Sequence, residues 1–215
     1  EDVLIQGNTF IKKSKEESVQ YREGGCHLLN IYCANNTTTD LGLNRRITID
    51  SNVFKIADPK TRVMRICKDN ASIKGNVTDI TITNNHITNT AADSTEIGIQ
   101  AFRISDNLTI KGNTVIGGLK GIEVHNCTGD VIINNNNVTN NSTSADGIGI
   151  RVYSISDNLT IKGNTVNGGN RGIEIQYCAC NISMDNNQVS GQSKQSVRFI
   201  DCGTNKKIFF YTHGY

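Results

Sequence analysis

Two glutamates in this sequence have the type and spacing of a catalytic carboxylate pair. Glu123 and Glu174 are the central residues of two related segments, GIEVH and GIEIQ, which lie 51 residues apart. If these segments are parallel strands two rungs apart, their backbones are separated by about 9.6 Å. Carboxylates about 6.5–9.5 Å apart suit an inverting glycosidase, in which one acts as acid and the other as base. Glu123 and Glu174 are therefore the candidate catalytic residues, and Gly149 between them would leave room for a sugar ring.

The polar side chains beside this pair are candidates for glycan binding. Strand alternation predicts a neighbouring outward column of His125, Arg151 and Gln176, with Gln100 on the preceding rung. Binding ranks above cleavage, because Arg151 favours the ionised form of both carboxylates whereas one must be protonated for catalysis. The alternative is a solvent-exposed ladder of salt bridges that has no function. Neither a metal site nor a cofactor is predicted.

These residues must be positioned by a repeat. The segment SDNLTIKGNTV at residues 105–115 returns unchanged at residues 156–166. Its core, apolar-x-apolar-x-x-Asn-x-apolar, occurs seven times, and the alternation indicates a short strand before each Asn. We predict that the asparagines mark equivalent turns with left-handed backbone and form a ladder of amide hydrogen bonds. The seven are Asn8, Asn52, Asn85, Asn113, Asn136, Asn164 and Asn187.

A second alternating strand follows each of these turns, and no stretch shows a helical pattern. With a period of 23–28 residues in the later copies, this predicts an all-β protein, a single-stranded parallel β-helix of about seven rungs. One domain would span residues 1–215, with polar insertions at 11–25 and 34–46 and a terminal strand or cap at 206–215. The chain begins directly on a strand pattern, which is typical of a fragment of a longer protein.

Five of the seven cysteines stand at the end of a second strand, and we expect these thiols to be reduced, mostly buried and stacked in one corner. They are Cys33, Cys67, Cys127, Cys178 and Cys202. The odd count does not suggest a disulfide framework.

The composition narrows the classes of partner. The formal net charge is only +2, so a nucleic-acid partner is not indicated. The sequence has no apolar run of about 18 residues, so no membrane span is predicted.

The seven asparagine turns resemble those of the right-handed parallel β-helix of the pectate-lyase-like superfamily, over roughly residues 2–211. The low proline content, free cysteines and absence of tryptophan look most like a phage tail or tailspike domain. This resemblance implies a homotrimer in a virion tail that binds a bacterial surface polysaccharide and could depolymerise it. The alternatives are a free, secreted carbohydrate-active enzyme (a polysaccharide lyase, glycoside hydrolase or epimerase) and an inert structural spacer. Whether the chain is an enzyme stays open, because no catalytic motif of the superfamily is recognisable.

Overall fold

The computed structural model describes residues 2–13, 26–33, 43–58, 61–68, 76–91 and 96–209. Within these ranges the chain forms 22 β-strands and no helix, and therefore no helix that could cross a membrane. The predicted insertions and tail lie partly outside them, at residues 14–25, 34–42 and 210–215. The described parts show that residues 11–12 and 43–46 belong to strands and not to insertions.

The strands form three parallel sheets. The first sheet contains β1 (Val3–Gln6), β4 (Leu43–Asp50), β7 (Asn76–Thr83), β10 (Leu108–Lys111), β13 (Val131–Asn134), β16 (Asn158–Lys162), β19 (Asn181–Asp185) and β22 (Lys206–Ile208). The second contains β2 (Thr9–Lys12), β5 (Val53–Ile56), β8 (His86–Asn89), β11 (Thr114–Ile116), β14 (Asn137–Asn140), β17 (Thr165–Gly168) and β20 (Gln188–Ser190). The third contains β3 (Cys26–Cys33), β6 (Thr61–Lys68), β9 (Ile97–Phe102), β12 (Lys120–His125), β15 (Ile148–Tyr153), β18 (Arg171–Gln176) and β21 (Gln195–Ile200).

The chain visits the three sheets in turn, so each strand pairs with the strand three further along the sequence. This is the predicted β-helix of about seven rungs. Each rung has three strands, whereas the sequence pattern suggested two. The difference arises just after each ladder asparagine, where an apolar residue such as Phe54 or Val115 enters the core and its strand pairs with the next rung.

The core is a column of inward aliphatic side chains along the axis of the coil. Residues of the first sheet such as Ile49, Ile82 and Ile110 are fully buried and lie in register from rung to rung. Burial of these aliphatic groups is the main favourable contribution to folding. Because every rung buries its apolar face against its neighbours, the modest apolar content of the chain suffices.

The seven asparagines lie at equivalent turns between the first and second sheets. Along the ladder, each Nδ2 donates to the Oδ1 of the next asparagine at 2.9–3.1 Å. The Nδ2 of Asn136 also donates to the Ile110 carbonyl at 2.9 Å, and the other internal members make the equivalent bond. The left-handed residue of the turn is the one before each asparagine, such as Asn135 or Gly163, and not the asparagine itself.

The predicted column of five thiols is only partly correct. Cys127, Cys178 and Cys202 share one column at the corner between the third and first sheets, two residues beyond the paired positions His125, Gln176 and Ile200. Cys67 is buried but pairs with Phe102, so it stands earlier on its strand. The Cys33 side chain lies outside the described residues. Cys67, Cys127 and Cys178 are buried free thiols, whereas Cys202 is partly exposed.

Candidate functional site on the third sheet

The outer face of the third sheet carries a line of charged and amide side chains that we call the charged ladder. Its members are Cα partners on five successive rungs: Gln100, Glu123, Arg151, Glu174 and Arg198. Arg151, and not Gly149, therefore lies between the two glutamates. The column predicted from sequence was displaced by two residues on this rung, so no space for a sugar ring opens there.

Glycines set this register at the corner where the second sheet meets the third. A Cβ on Gly121 would lie 2.3 Å from Val138 Cγ1 and 2.7 Å from the Gly149 carbonyl oxygen, and the corresponding glycines are equally crowded. The crowded set is Gly98, Gly121, Gly149 and Gly172. These glycines let the strand pass close to the core valine, so Gly149 does not form the outward slot expected of it. Their spacings of 23, 28 and 23 residues were the signal that could have fixed the register.

Glu123 is enclosed by three partners. Its Oε1 lies 2.9 Å from Lys120 Nζ and 3.3 Å from Arg151 Nη1, and its Oε2 accepts a hydrogen bond of 2.9 Å from Gln100 Nε2. The residue is only 3 % exposed. Glu123 therefore forms buried ion pairs. It does not belong to the solvent-exposed ladder of salt bridges that the sequence offered as an alternative.

Glu174 is even more enclosed, at 1 % exposure, and three guanidinium groups surround it. Arg151 Nε lies 3.5 Å from Oε1, while Arg171 Nε and Arg198 Nη1 lie 3.4 Å and 3.3 Å from Oε2. Gln176 Nε2 adds a hydrogen bond of 2.6 Å to Oε1. One carboxylate thus faces three cations, so this end of the charged ladder holds an excess of positive charge.

The ionisation of Glu123 follows from these contacts. Burial alone would raise the pKa of its carboxyl group, but Lys120, the Gln100 hydrogen bond and His125 together hold that pKa below its usual value. Glu123 is therefore ionised at neutral pH, whereas a general acid must carry a proton. Arg151 contacts both carboxylates, an arrangement that suits binding better than cleavage.

A second line, the aromatic ladder, runs beside the charged ladder and consists of Phe102, His125 and Tyr153, with Gln176 on the next rung. The His125 ring stacks at 4.7 Å on Phe102 and at 4.5 Å on Tyr153, nearly parallel to both. His125 and Gln176 thus share a column, as predicted, but Tyr153 and not Arg151 lies between them. Burial, with Arg103 and Arg151 nearby, lowers the pKa of His125 to about 4, so the ring is neutral at pH 7.

Guanidinium groups cover both ends of the aromatic stack. The Arg65 guanidinium carbon lies 5.0 Å from the Phe102 ring centre, and that of Arg151 lies 4.7 Å from the Tyr153 ring centre. These are cation–π contacts, which also fix the cations in place. The sequence pattern gave no sign of the Phe102–His125–Tyr153 stack, because the three residues differ in type and share only their register.

The third sheet is the most basic part of the coil. Its seven strands contain seven lysines and arginines but only two glutamates, an excess of five positive charges. The whole chain has a net charge of only +2, so the remainder is acidic on balance. Such a rigid, basic face favours an acidic partner surface.

The fold, the asparagine turns and the three parallel sheets define a β-helix protein. The chain belongs to the right-handed β-helix family, since the model of the family described as "right handed beta helix region" matches residues 1–189. This gives the hand of the coil and confirms the predicted fold class.

The similar proteins are bacterial surface proteins. The chain is 45 % identical, over 139 residues, to plasmin and fibronectin-binding protein A of Streptococcus pneumoniae (strain ATCC BAA-255 / R6), covering 65 % of this chain and 19 % of that protein. It also resembles the solved structure of the Streptococcus pneumoniae surface protein and adhesin PfbA, with 33 % identity and a TM-score of 0.51. That similarity covers 93 % of this chain and 35 % of the solved chain. A second structure of PfbA, described as a surface adhesin, gives 32 % identity and a TM-score of 0.46, over 91 % of this chain and 32 % of that one.

These relatives support part of what the sequence suggested. The predicted β-helix fold agrees with the family to which the chain belongs. The relatives are surface adhesins of a bacterium, so they lend no support to a phage tail, a virion location or a homotrimer.

Proposed function

We propose that this chain is the β-helix part of a bacterial surface adhesin and that it binds host fibronectin and plasmin. The observation that carries this proposal is the 45 % identity to plasmin and fibronectin-binding protein A. The chain spans 19 % of the length of that relative. The partners are therefore proposed for this chain on similarity and on the physical character of its surface.

The outer face of the third sheet is the surface best suited to this role. Its cations are held in fixed positions by Glu123, Glu174 and the aromatic ladder, so ordering them on binding costs little conformational entropy. Arg62, paired with Glu96, and Arg198, paired with Glu174, are more accessible than Arg151 and Arg171, each with a side chain 36 % exposed. They would meet acidic groups of the partner first, and would mainly raise the rate and specificity of association.

Direct binding tests the proposal. Purified chain is passed over immobilised fibronectin, immobilised plasmin and an unrelated acidic protein, and the response is followed as its concentration increases. We expect saturable binding to fibronectin or plasmin, weakened by added salt because exposed charges are screened. Absence of saturable binding to both, or equal binding to the unrelated protein, would overturn the proposal.

A bacterial surface glycan is a second candidate partner on the same face. What favours it is the partly exposed Arg151 guanidinium, which donates to Gln176 Oε1 at 3.1 Å and presents planar N–H donors to sugar hydroxyls. A panel of capsule and wall glycans, read for binding and for cleavage products, tests this candidate and any depolymerising activity. Loss of glycan binding in Glu123→Gln/Glu174→Gln would support it, whereas no binding by the parent chain would exclude it.

Mass photometry of the same sample tests whether the chain forms the homotrimer that the tailspike resemblance implies.

A further inference from the structure

Three cysteines meet at the corner between the third and first sheets, near the last rung. Cys178 and Cys180 are buried, Cys202 is partly exposed, and all three are free thiols. Cys178 and Cys180 are separated by one residue at this corner. These residues have no part in the proposed binding face.

The register of the last two rungs places Cys178 and Cys202 directly above each other. Gln176 is the Cα partner of Ile200, and each cysteine follows two residues later. The corner keeps this alignment, because the Gly203 N–H donates to the Cys178 carbonyl at 2.9 Å. Neighbouring rungs lie about 4.8 Å apart. That separation is within the range of about 4.4–6.8 Å that Cα atoms span across a disulfide.

The Cys202 sulfur reaches the rung of Cys178. Cys202 Sγ lies 3.4 Å from the Ile175 carbonyl oxygen, which belongs to that rung. Cys178 Sγ lies 3.2 Å from the Gln176 carbonyl oxygen, which also accepts the Ser154 N–H of the preceding rung. The Cys178 side chain therefore has to rotate towards Cys202 for the two sulfurs to bond.

We propose that Cys178 and Cys202 form an oxidation site, at which a low-molecular-weight disulfide converts the two thiols into a disulfide bond between adjacent rungs. The Cys202 thiolate attacks one sulfur of the reagent, its S–S bond breaks, and one thiolate leaves. Cys178 then attacks the Cys202 sulfur of the mixed disulfide, and the second thiolate leaves. The two protein thiols lose two protons and two electrons, and the reagent is released as two thiols.

The neighbouring Cys180 thiol and burial raise the pKa of the Cys178 thiol. Ring closure therefore requires removal of a tightly held proton from Cys178 and is the slower of the two steps. The cross-link should form faster as the pH rises, since the thiolate is the nucleophile.

The cross-link would fasten the last rung of the described coil to the one before it. Val197 and Phe199 on β21 are only partly buried, unlike Ile173 and Ile175 in the rung before. A disulfide here would oppose fraying of this end. Such bonds persist in the oxidising surroundings of surface proteins.

Cys127 is a matched control within the same column. The N–H of Thr128 donates to the Ile104 carbonyl, and that of Ser156 donates to the Cys127 carbonyl, so the neighbouring positions in the column are Ile104 and Ile155. Cys127 has no thiol above or below it. Burial raises the pKa of its thiol to about 12, which should keep it unreactive.

The test uses the whole chain and oxidised glutathione, followed by non-reducing peptide mapping and mass measurement. We expect the chain to lose two hydrogen atoms in mass and to yield one linked peptide pair that joins Cys178 to Cys202. Cys178→Ser should stop at the glutathione adduct on Cys202, whereas Cys127→Ser and Cys180→Ser should still give the cross-link. A Cys178–Cys180 bond, a persistent adduct in the parent chain, or no loss of thiols would each overturn the proposal.

Discussion

At the scale of single residues, Arg151 is the cation that both glutamates of the charged ladder share. It lies within ion-pair distance of two carboxylates that are almost fully buried, and its guanidinium also covers the Tyr153 ring. Removing one partner from a buried pair is costly, because the remaining charge is left in a medium of low polarity. Lys120 and Arg171 would still face Glu123 and Glu174 but could not occupy the space between them.

We predict that Arg151→Met lowers the free energy of unfolding by about 3 kcal/mol, near the lower end for breaking a buried ion pair. The lower end applies because the Arg151 side chain keeps 25 % exposure. The matched control is Lys162→Met, whose partner Asp185 lies 3.2 Å away at an open site, with side-chain exposures of 53 % and 27 %. That change should cost about 0–1 kcal/mol. Equal losses for the two variants in urea unfolding would contradict this account of the site.

His125 gives a prediction about pH. Its pKa is about 4 in the folded protein, below the value of about 6.5 in an unfolded chain, so protonation favours unfolding. Its contribution to stability is complete above pH 6.5 and is lost as the pH falls from 6.5 towards 4. His125→Phe keeps a ring in the stack and should lose less stability than the parent between pH 7 and pH 5.

Urea unfolding at the two pH values checks this prediction. His27, whose pKa is also lowered to about 4 by burial and by Arg65 and Arg62, is present in both proteins and leaves a decline common to them. An identical loss of stability in the variant and the parent would show that the His125 ring is not held neutral by the stack.

The residues of this face show what the sequence could and could not supply. Glu123 and Glu174 were recognisable as equivalent, because they recur in related segments 51 residues apart. Their burial was not recognisable, since it depends on Arg151, Lys120 and Arg171 folding over them from three strands. Register was the second obstacle: the rung of Arg151 was aligned two residues away from its true position, although the spacing of the corner glycines could have fixed it.

At the scale of elements, the asparagine turn is the unit that repeats most faithfully. Its pattern was visible in the sequence because one residue type recurs at one position of an alternating strand. The strand that each rung contributes to the second sheet was less visible in the sequence. It is only three or four residues long, which is too short for an alternation pattern to develop. The left-handed residue varies among Gly, Ser and Asn, so it gave no signal of its own.

Asn136, near the middle of the ladder, gives the prediction at this scale. Asn136→Ala removes the acceptor of the Asn113 N–H and Nδ2 and the donor to the Ile110 carbonyl, all of them buried. A buried polar group left without a partner costs about 1–3 kcal/mol. We expect the free energy of unfolding to fall by at least about 3 kcal/mol.

The neighbouring residue Asn137 provides the control, because its side chain is exposed at the start of β14. Asn137→Ala should change the free energy of unfolding by no more than about 0.5 kcal/mol. Thermal or urea unfolding measures both variants. A small effect at Asn136 would show that the ladder asparagines mark the turns but contribute little to the stability of the protein.

At the scale of the whole molecule, the coil stacks its rungs along one axis, so each sheet presents one long outer face. The strands of the third sheet carry the largest excess of positive charge, although the chain as a whole is nearly neutral. The β-helix therefore offers a long charged surface without needing a deep pocket, as suits attachment to a large partner. The similarity to a fibronectin- and plasmin-binding surface protein gives this face its proposed partners.

The most direct test of this account compares two double variants in binding to fibronectin and plasmin. Arg62→Gln/Arg198→Gln removes two cations from the third sheet, and Lys55→Gln/Lys111→Gln removes two exposed cations from the second and first sheets. Both variants change the net charge equally. We predict that the first weakens binding about tenfold and reduces its dependence on salt, while the second changes affinity less than about twofold. Equal weakening by both variants, or no effect of the first, would show that the outer face of the third sheet is not the binding surface.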